Sequence, residues 1–102
     1  MAKDKGPDKD IIKELIFDSA RDAALETEGV CDVLDVKGDI DHSQKKVEFK
    51  IYIDVYFGSK IPAVSWDVQN AVKNAVKSSA DFTASSIDIH IQGIQKRKDQ
   101  NV

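Results

Sequence analysis

The sequence predicts an α+β fold, a two-layer sandwich with two helices on one face of a three-stranded sheet. Three observations predict it. From Val47 to Phe57 apolar and polar residues alternate without a break, the period of a half-buried strand. Two segments, about residues 10–28 and 61–79, instead repeat apolar residues at spacings of three and four, the period of an amphipathic helix. A final stretch, 86–94, returns to alternation, with Ile87, Ile89 and Ile91 set between Asp88, His90 and Gln92.

The first helix carries Ile12, Leu15, Ile16, Ser19, Ala20, Ala23 and Thr27 as an apolar-to-small stripe. Asp8 or Asp10 can cap its start, and Gly29 suits a left-handed exit with Val30 as the contact beyond it. A strand over 30–36 follows, with Val30, Leu34 and Val36 on one face, Cys31, Val33 and Asp35 on the other, and Asp32 breaking the pattern. Gly38, Asp39, Asp41, His42 and Ser43 supply turn chemistry. In the second strand Val47, Phe49, Ile51, Ile53, Val55 and Phe57 share the buried face. Glu48, Lys50, Tyr52, Asp54 and Tyr56 share the open one. Pro62 sits in the first turn of the second helix, where an N–H has no helical partner anyway. Its stripe is Ile61, Val64, Val68, Ala71, Val72 and Ala75. The order is α-β-β-α-β. The first two strands pair as a hairpin, and a third strand beside the first would make the sheet antiparallel throughout, in the order 2-1-3.

The folded domain is expected over 10–94, between a disordered N-terminal segment, 1–9, and a disordered basic tail, 95–102. With 102 residues the chain is one domain's worth. A formal charge of -3 argues against a nucleic-acid protein. One cysteine, Cys31, cannot form an internal disulfide. The N-terminus lacks the apolar stretch of a signal peptide, and no run approaches the roughly 18 apolar residues of a membrane span.

Four stretches, taken in order, resemble the alkaline shock protein family of Gram-positive bacteria. They are 22–30, ending in Gly29-Val30; 55–64, with Tyr56, Gly58 and Ile61-Pro62; the helical Val68, Gln69, Val72 and Val76; and 87–94, ending in Gly93-Ile94. The match spans roughly 11–94. It departs at 79–82, where Ser-Ala-Asp-Phe replaces the family's frequent Met-Thr-Gly-Leu, and at Trp66, where a small residue is commoner. The resemblance implies a cytoplasmic envelope stress protein without enzymatic activity, held at the membrane's inner face by a membrane-anchored partner protein. It supplies no catalytic residues.

The residues themselves offer little chemistry. Cys31, His42 and His90 lack the spacings of a zinc site. No nucleophile elbow, P-loop or dinucleotide-binding motif occurs. The pairs Asp39/Asp41 and Asp32/Asp35 read as solvating carboxylates. No catalytic, cofactor or metal site is therefore expected. The expected activity is docking onto the membrane-anchored partner, with homo-oligomer formation as a further possibility and no direct membrane insertion. Its contact residues are Tyr52, Tyr56, Trp66 and His90, because aromatic side chains offer large contact area at low entropy cost. Trp66 lies about 200° round its helix from Val64, near Asn70, Lys73 and Lys77. The alternative is a sheet-based single-stranded RNA-binding module, since aromatics on an open sheet can stack bases and the element order resembles KH-like folds. No G-x-x-G loop occurs, and Glu48, Asp54 and Asp88 on the same face would repel phosphate. Lys96, Arg97 and Lys98 could touch anionic lipid but read as a solvated tail.

Overall fold

The computed structural model describes residues 9–97. The elements are α1 (Lys9–Leu25), β1 (Val30–Asp41), β2 (Lys46–Tyr56), α2 (Ile61–Ala80) and β3 (Thr83–Gln95). The α-β-β-α-β order and the α+β class hold, but the sheet order is β1-β2-β3. β1 and β2 are antiparallel, whereas β2 and β3 are parallel, so the expected 2-1-3 antiparallel sheet is wrong. The connection from β2 into α2 is only four residues long. α2 packs beside α1 on the same face, over β3, and that return strand lands on the free edge of β2. The most apolar strand thus takes the centre, where both helices can cover it.

Val47, Phe49, Ile51, Ile53 and Val55 are all essentially inaccessible beneath the helices. Each such side chain contributes about 1.5–3 kcal/mol through burial. α1 answers with Ile16, Ala20 and Ala24, and α2 with Val64, Val68, Val72 and Val76. The small residues of α1 let the two helices lie close, and the Ser19 hydroxyl donates to Ser79 Oγ at 2.7 Å. Leu15, expected in the stripe, is largely exposed. Phe57, expected on the buried face, lies beyond β2 and is 64% exposed.

β1 is longer than its alternation suggested, and it is irregular. Register shifts between Val30 and Asp32 and between Val33 and Asp35 each insert an extra residue. The inward set is therefore Val30, Val33, Val36 and Ile40, and Leu34 faces out. At the first shift Asp32 Oδ1 accepts from the Val33 N–H at 2.9 Å. Gly38, Asp39 and Asp41, assigned to a turn from composition, lie within β1. A Cβ on Gly38 would come within 2.8 Å of the Phe17 ring, which packs over it and against Phe49. The hairpin turn is 42–45, with Lys45 at φ 55.

α1 ends at Leu25, short of the expected 28, so Gly29 is not its exit residue; it takes φ +96 in the following turn, which the Val30 N–H closes by donating to the Thr27 carbonyl. Asp81 takes the left-handed conformation that ends α2, the position where the resembling family often has glycine. Its N–H donates to the Lys77 carbonyl, and its carboxylate lies 3.0 Å from Lys77 Nζ. Residues 1–8 and 98–102, including Lys98 of the basic run, lie outside the described residues. Lys9, assigned to the N-terminal segment, opens α1; Gln95, assigned to the tail, completes β3; and Lys96 and Arg97 follow it.

Candidate functional site

Both helices lie on one side of the sheet, so the opposite side is open. Down its centre runs the outward row of β2, Glu48, Lys50, Tyr52, Asp54 and Tyr56. Register sets the neighbours. Lys50 stands between Lys37 and Asp88, and Tyr52 between Asp35 and His90. Because β3 adjoins β2, Tyr52 and His90 meet directly. Their rings stack at 4.7 Å with planes 16° apart, and Lys37 Nζ lies 5.5 Å from the Tyr52 centroid on the β1 side. Leu34, Asp35, Lys37, Tyr52 and Gln92 line a shallow depression of about 260 Å³. Gln92 sits there because β3 carries an irregularity between Ile91 and Gly93.

Tyr56 is covered differently. The Arg97 guanidinium lies 4.1 Å over its ring and 3.3 Å from a Glu28 carboxylate oxygen. Arg97, expected in a loose tail, is thus tied to the sheet. Asp54, between the two tyrosines, accepts from Gln95 Nε2 at 3.2 Å. Gly93 makes this possible, since a Cβ there would approach Asp54 Oδ1 to 2.9 Å. That contact supplies a physical reason for glycine in the Gly93-Ile94 pair.

The four expected contact residues do not form one surface. Tyr52, Tyr56 and His90 share the open face. Trp66 stands on α2, beyond the helix layer, 64% exposed and on the same outward side as Asn70, Lys73 and Lys77. Sequence reasoning missed Lys37 and Arg97 as ring partners, because the register that brings them to the tyrosines is not written in local pattern.

The charges are mixed. Asp32, Asp35, Asp39, Glu48, Asp54 and Asp88 share this face with Lys37, Lys50 and Arg97. Such a surface suits a partner of mixed charge better than a phosphate backbone. Two carboxyl groups lie lower than usual, both at turns. Hydrogen bonds from the Ser43 hydroxyl and the Gln44 N–H lower that of Asp41. The hydrogen bond and charge of Lys77 lower that of Asp81. Among the described residues no group of three or more His, Cys, Asp or Glu side chains is placed to hold a metal. No described helix is long and apolar enough to cross a membrane.

An open antiparallel hairpin continued by a parallel β-α-β unit, with its two helices on one face, defines a class of small α+β domains. Solved structures of the MamM CTD share this fold. One aligns with a TM-score of 0.57 at 16% identity, over 79% of this chain and 94% of that one. A zinc form aligns at 0.54, also at 16% identity, over 88% and 91%. Residues 35–96 match the model of the alkaline shock protein 23 family, which is described by a cell envelope-related function, and the chain belongs to that family. A curated relative, the uncharacterized protein Spy1535 of Streptococcus pyogenes, is 40% identical over 48 residues, 47% of this chain. The match spans 37% of that relative's length.

Proposed function

We propose that this chain is a non-enzymatic, cytoplasmic envelope stress protein that docks its open sheet face onto a membrane-anchored partner protein and also self-associates. The observation that carries the reading is the row Lys37, Tyr52 and His90 beside Arg97 and Tyr56, displayed on a face that no described element covers. The stacks hold the rings in fixed orientations, so little side-chain freedom is lost on binding. Membership of a family with a cell envelope-related function supports the cellular setting.

The test is quantitative capture from detergent-solubilised membranes of a Gram-positive host, comparing the unmodified chain with Tyr52→Ala, Tyr56→Ala and Trp66→Ala. Loss of one membrane protein in the two tyrosine variants, with the variants still folded, is the expected result. Equal recovery of every membrane protein by all four chains would sink the reading. Steeply salt-dependent binding of single-stranded RNA would favour the nucleic-acid alternative instead.

A further inference from the structure

β3 is an edge strand, and its exposed edge is unusually regular. An edge is ordinarily blunted by bulges, lysines or proline. β1, the other edge, has two register shifts and carries Lys37. β3 has irregularities only at its ends, between Ala84 and Ser86 and between Ile91 and Gly93. Between them runs an even six-residue stretch, Ser-Ile-Asp-Ile-His-Ile over 86–91, with neither lysine nor proline. Its three isoleucines pack against the core but stay only partly buried at the edge of the sheet.

The direction of the free backbone groups can be read from two contacts. Gln69 Nε2 donates to the Ile87 carbonyl at 2.8 Å, so that carbonyl points away from β2. The Tyr56 N–H donates to the Gly29 carbonyl, so even-numbered residues of β2 turn to β1 and odd ones to β3. By alternation the N–H and C=O groups of Ile87, Ile89 and Ile91 all project from the edge.

We infer that a second copy of this chain pairs on this edge, β3 antiparallel to β3, with the two-fold axis at Ile89. The inference rests on the self-association part of the reading above and gives it a register. Ile89 then faces Ile89, and Ile87 faces Ile91 of the second copy, giving about six main-chain hydrogen bonds. On the open face Asp88 stands opposite His90 of the second copy, twice by symmetry. Shifting the axis to Asp88 would set two carboxylates against each other, and shifting it to His90 would oppose two imidazoles. Pairing each carboxylate with an imidazole N–H donor, rather than with a second carboxylate, therefore favours Ile89. The bond from Gln69 does not block it, since a carbonyl oxygen has two lone pairs.

Trp66 fits the same arrangement. β2 and β3 are parallel, so α2 between them runs antiparallel to β3. Gln69 lies beside Ile87, and Trp66 stands three residues nearer the helix start, about 4.5 Å along the axis. That is roughly one and a half strand residues, between Asp88 and Ile89. A largely exposed tryptophan therefore stands at the shoulder of the edge, next to the axis, where a second copy would cover it.

The test mixes two variants of the full chain, Asp88→Cys and His90→Cys, each with Cys31→Ser, under mild oxidation. Directly opposed residues of a non-hydrogen-bonded pair have Cα atoms about 4.5 Å apart, within disulfide reach. Cross-linked dimer is expected only in the mixture. A cross-link in either variant alone would overturn the register, and none anywhere would overturn the edge. Sedimentation equilibrium of the unmodified chain separates the two levels. If it remains monomeric at every concentration, self-association itself fails; if it associates while the mixture stays uncross-linked, only the edge pairing fails. In a second arm, Asp88→Lys or His90→Glu alone should weaken dimerisation about tenfold, and both together should restore it. Emission from Trp66, the one tryptophan of the chain, should shift to the blue with increasing concentration.

Discussion

Gly29 and Gly58 offer a paired test of what glycine does in this fold. Both have positive φ, +96 and +89, so alanine at either position is strained in the same way. Their surroundings differ. A Cβ on Gly58 would meet nothing within 4 Å, whereas one on Gly29 would lie 2.7 Å from Val64 Cγ2. Val64 cannot withdraw easily. It is buried in the first turns of α2, its N–H donates to the Lys60 carbonyl, and a β-branched side chain in a helix has one strongly preferred rotamer. Gly58→Ala should therefore lose about 1 kcal/mol, from backbone strain alone. Gly29→Ala should lose that plus about 1–3 kcal/mol of overpacking. For a domain this size the difference corresponds to a Tm gap on the order of 4–24 °C. The assay is thermal and urea unfolding of both variants, together with Gly29→Ala/Val64→Ala. The double variant should lose less than the sum of its two single changes, because removing Cγ2 opens the space that Cβ needs. Equal losses at Gly29 and Gly58, or simple additivity with Val64→Ala, would refute the close approach as the reason for glycine at 29.

Ile51→Ala should lose about 2–5 kcal/mol by denaturant unfolding, since Ile51 is fully buried in the central strand beneath the helix layer. Tyr52→Ala should change stability by less than about 1.5 kcal/mol, because the lost ring contacts are at the surface, while reducing recovery of the captured membrane protein. Asp81→Gly should stabilise by about 0.5–1 kcal/mol: it relieves φ 61, and the Lys77 contact it removes is exposed. The folded carboxyl of Asp41 lies below its unfolded value, so its contribution is present above about pH 4 and fades as pH falls through the lower folded value. Asp41→Asn should accordingly lower the denaturant midpoint at pH 7 and have progressively less effect on acidification; an unchanged midpoint at pH 7 would remove the Ser43 and Gln44 hydrogen bonds as the cause.

The resembling family's departures acquire reasons in three dimensions. Asp81 tolerates the left-handed turn that glycine would fill, as a short polar side chain can. Phe82 fills the neighbouring core position and lies edge-on to His42. Trp66 has no role in the core and stands exposed on α2.

The residues 47–57, 61–79 and 86–94 determined their own elements, because periods of two and 3.6 are local properties that each segment enforces through the face it must bury. They also determined that Tyr52 and Tyr56 point away from the core, as does Trp66. Local pattern does not determine which strands are neighbours. Only the tertiary structure decided that β3 lies beside β2 rather than β1, and with that decision came the Tyr52–His90 stack and the exposed β3 edge. The bulges of β1 were equally out of reach, since an inserted residue shifts the phase and leaves only a blurred alternation in the sequence. Pairing is chosen by the global competition to cover the most apolar strand, and that competition involves residues far apart in the chain.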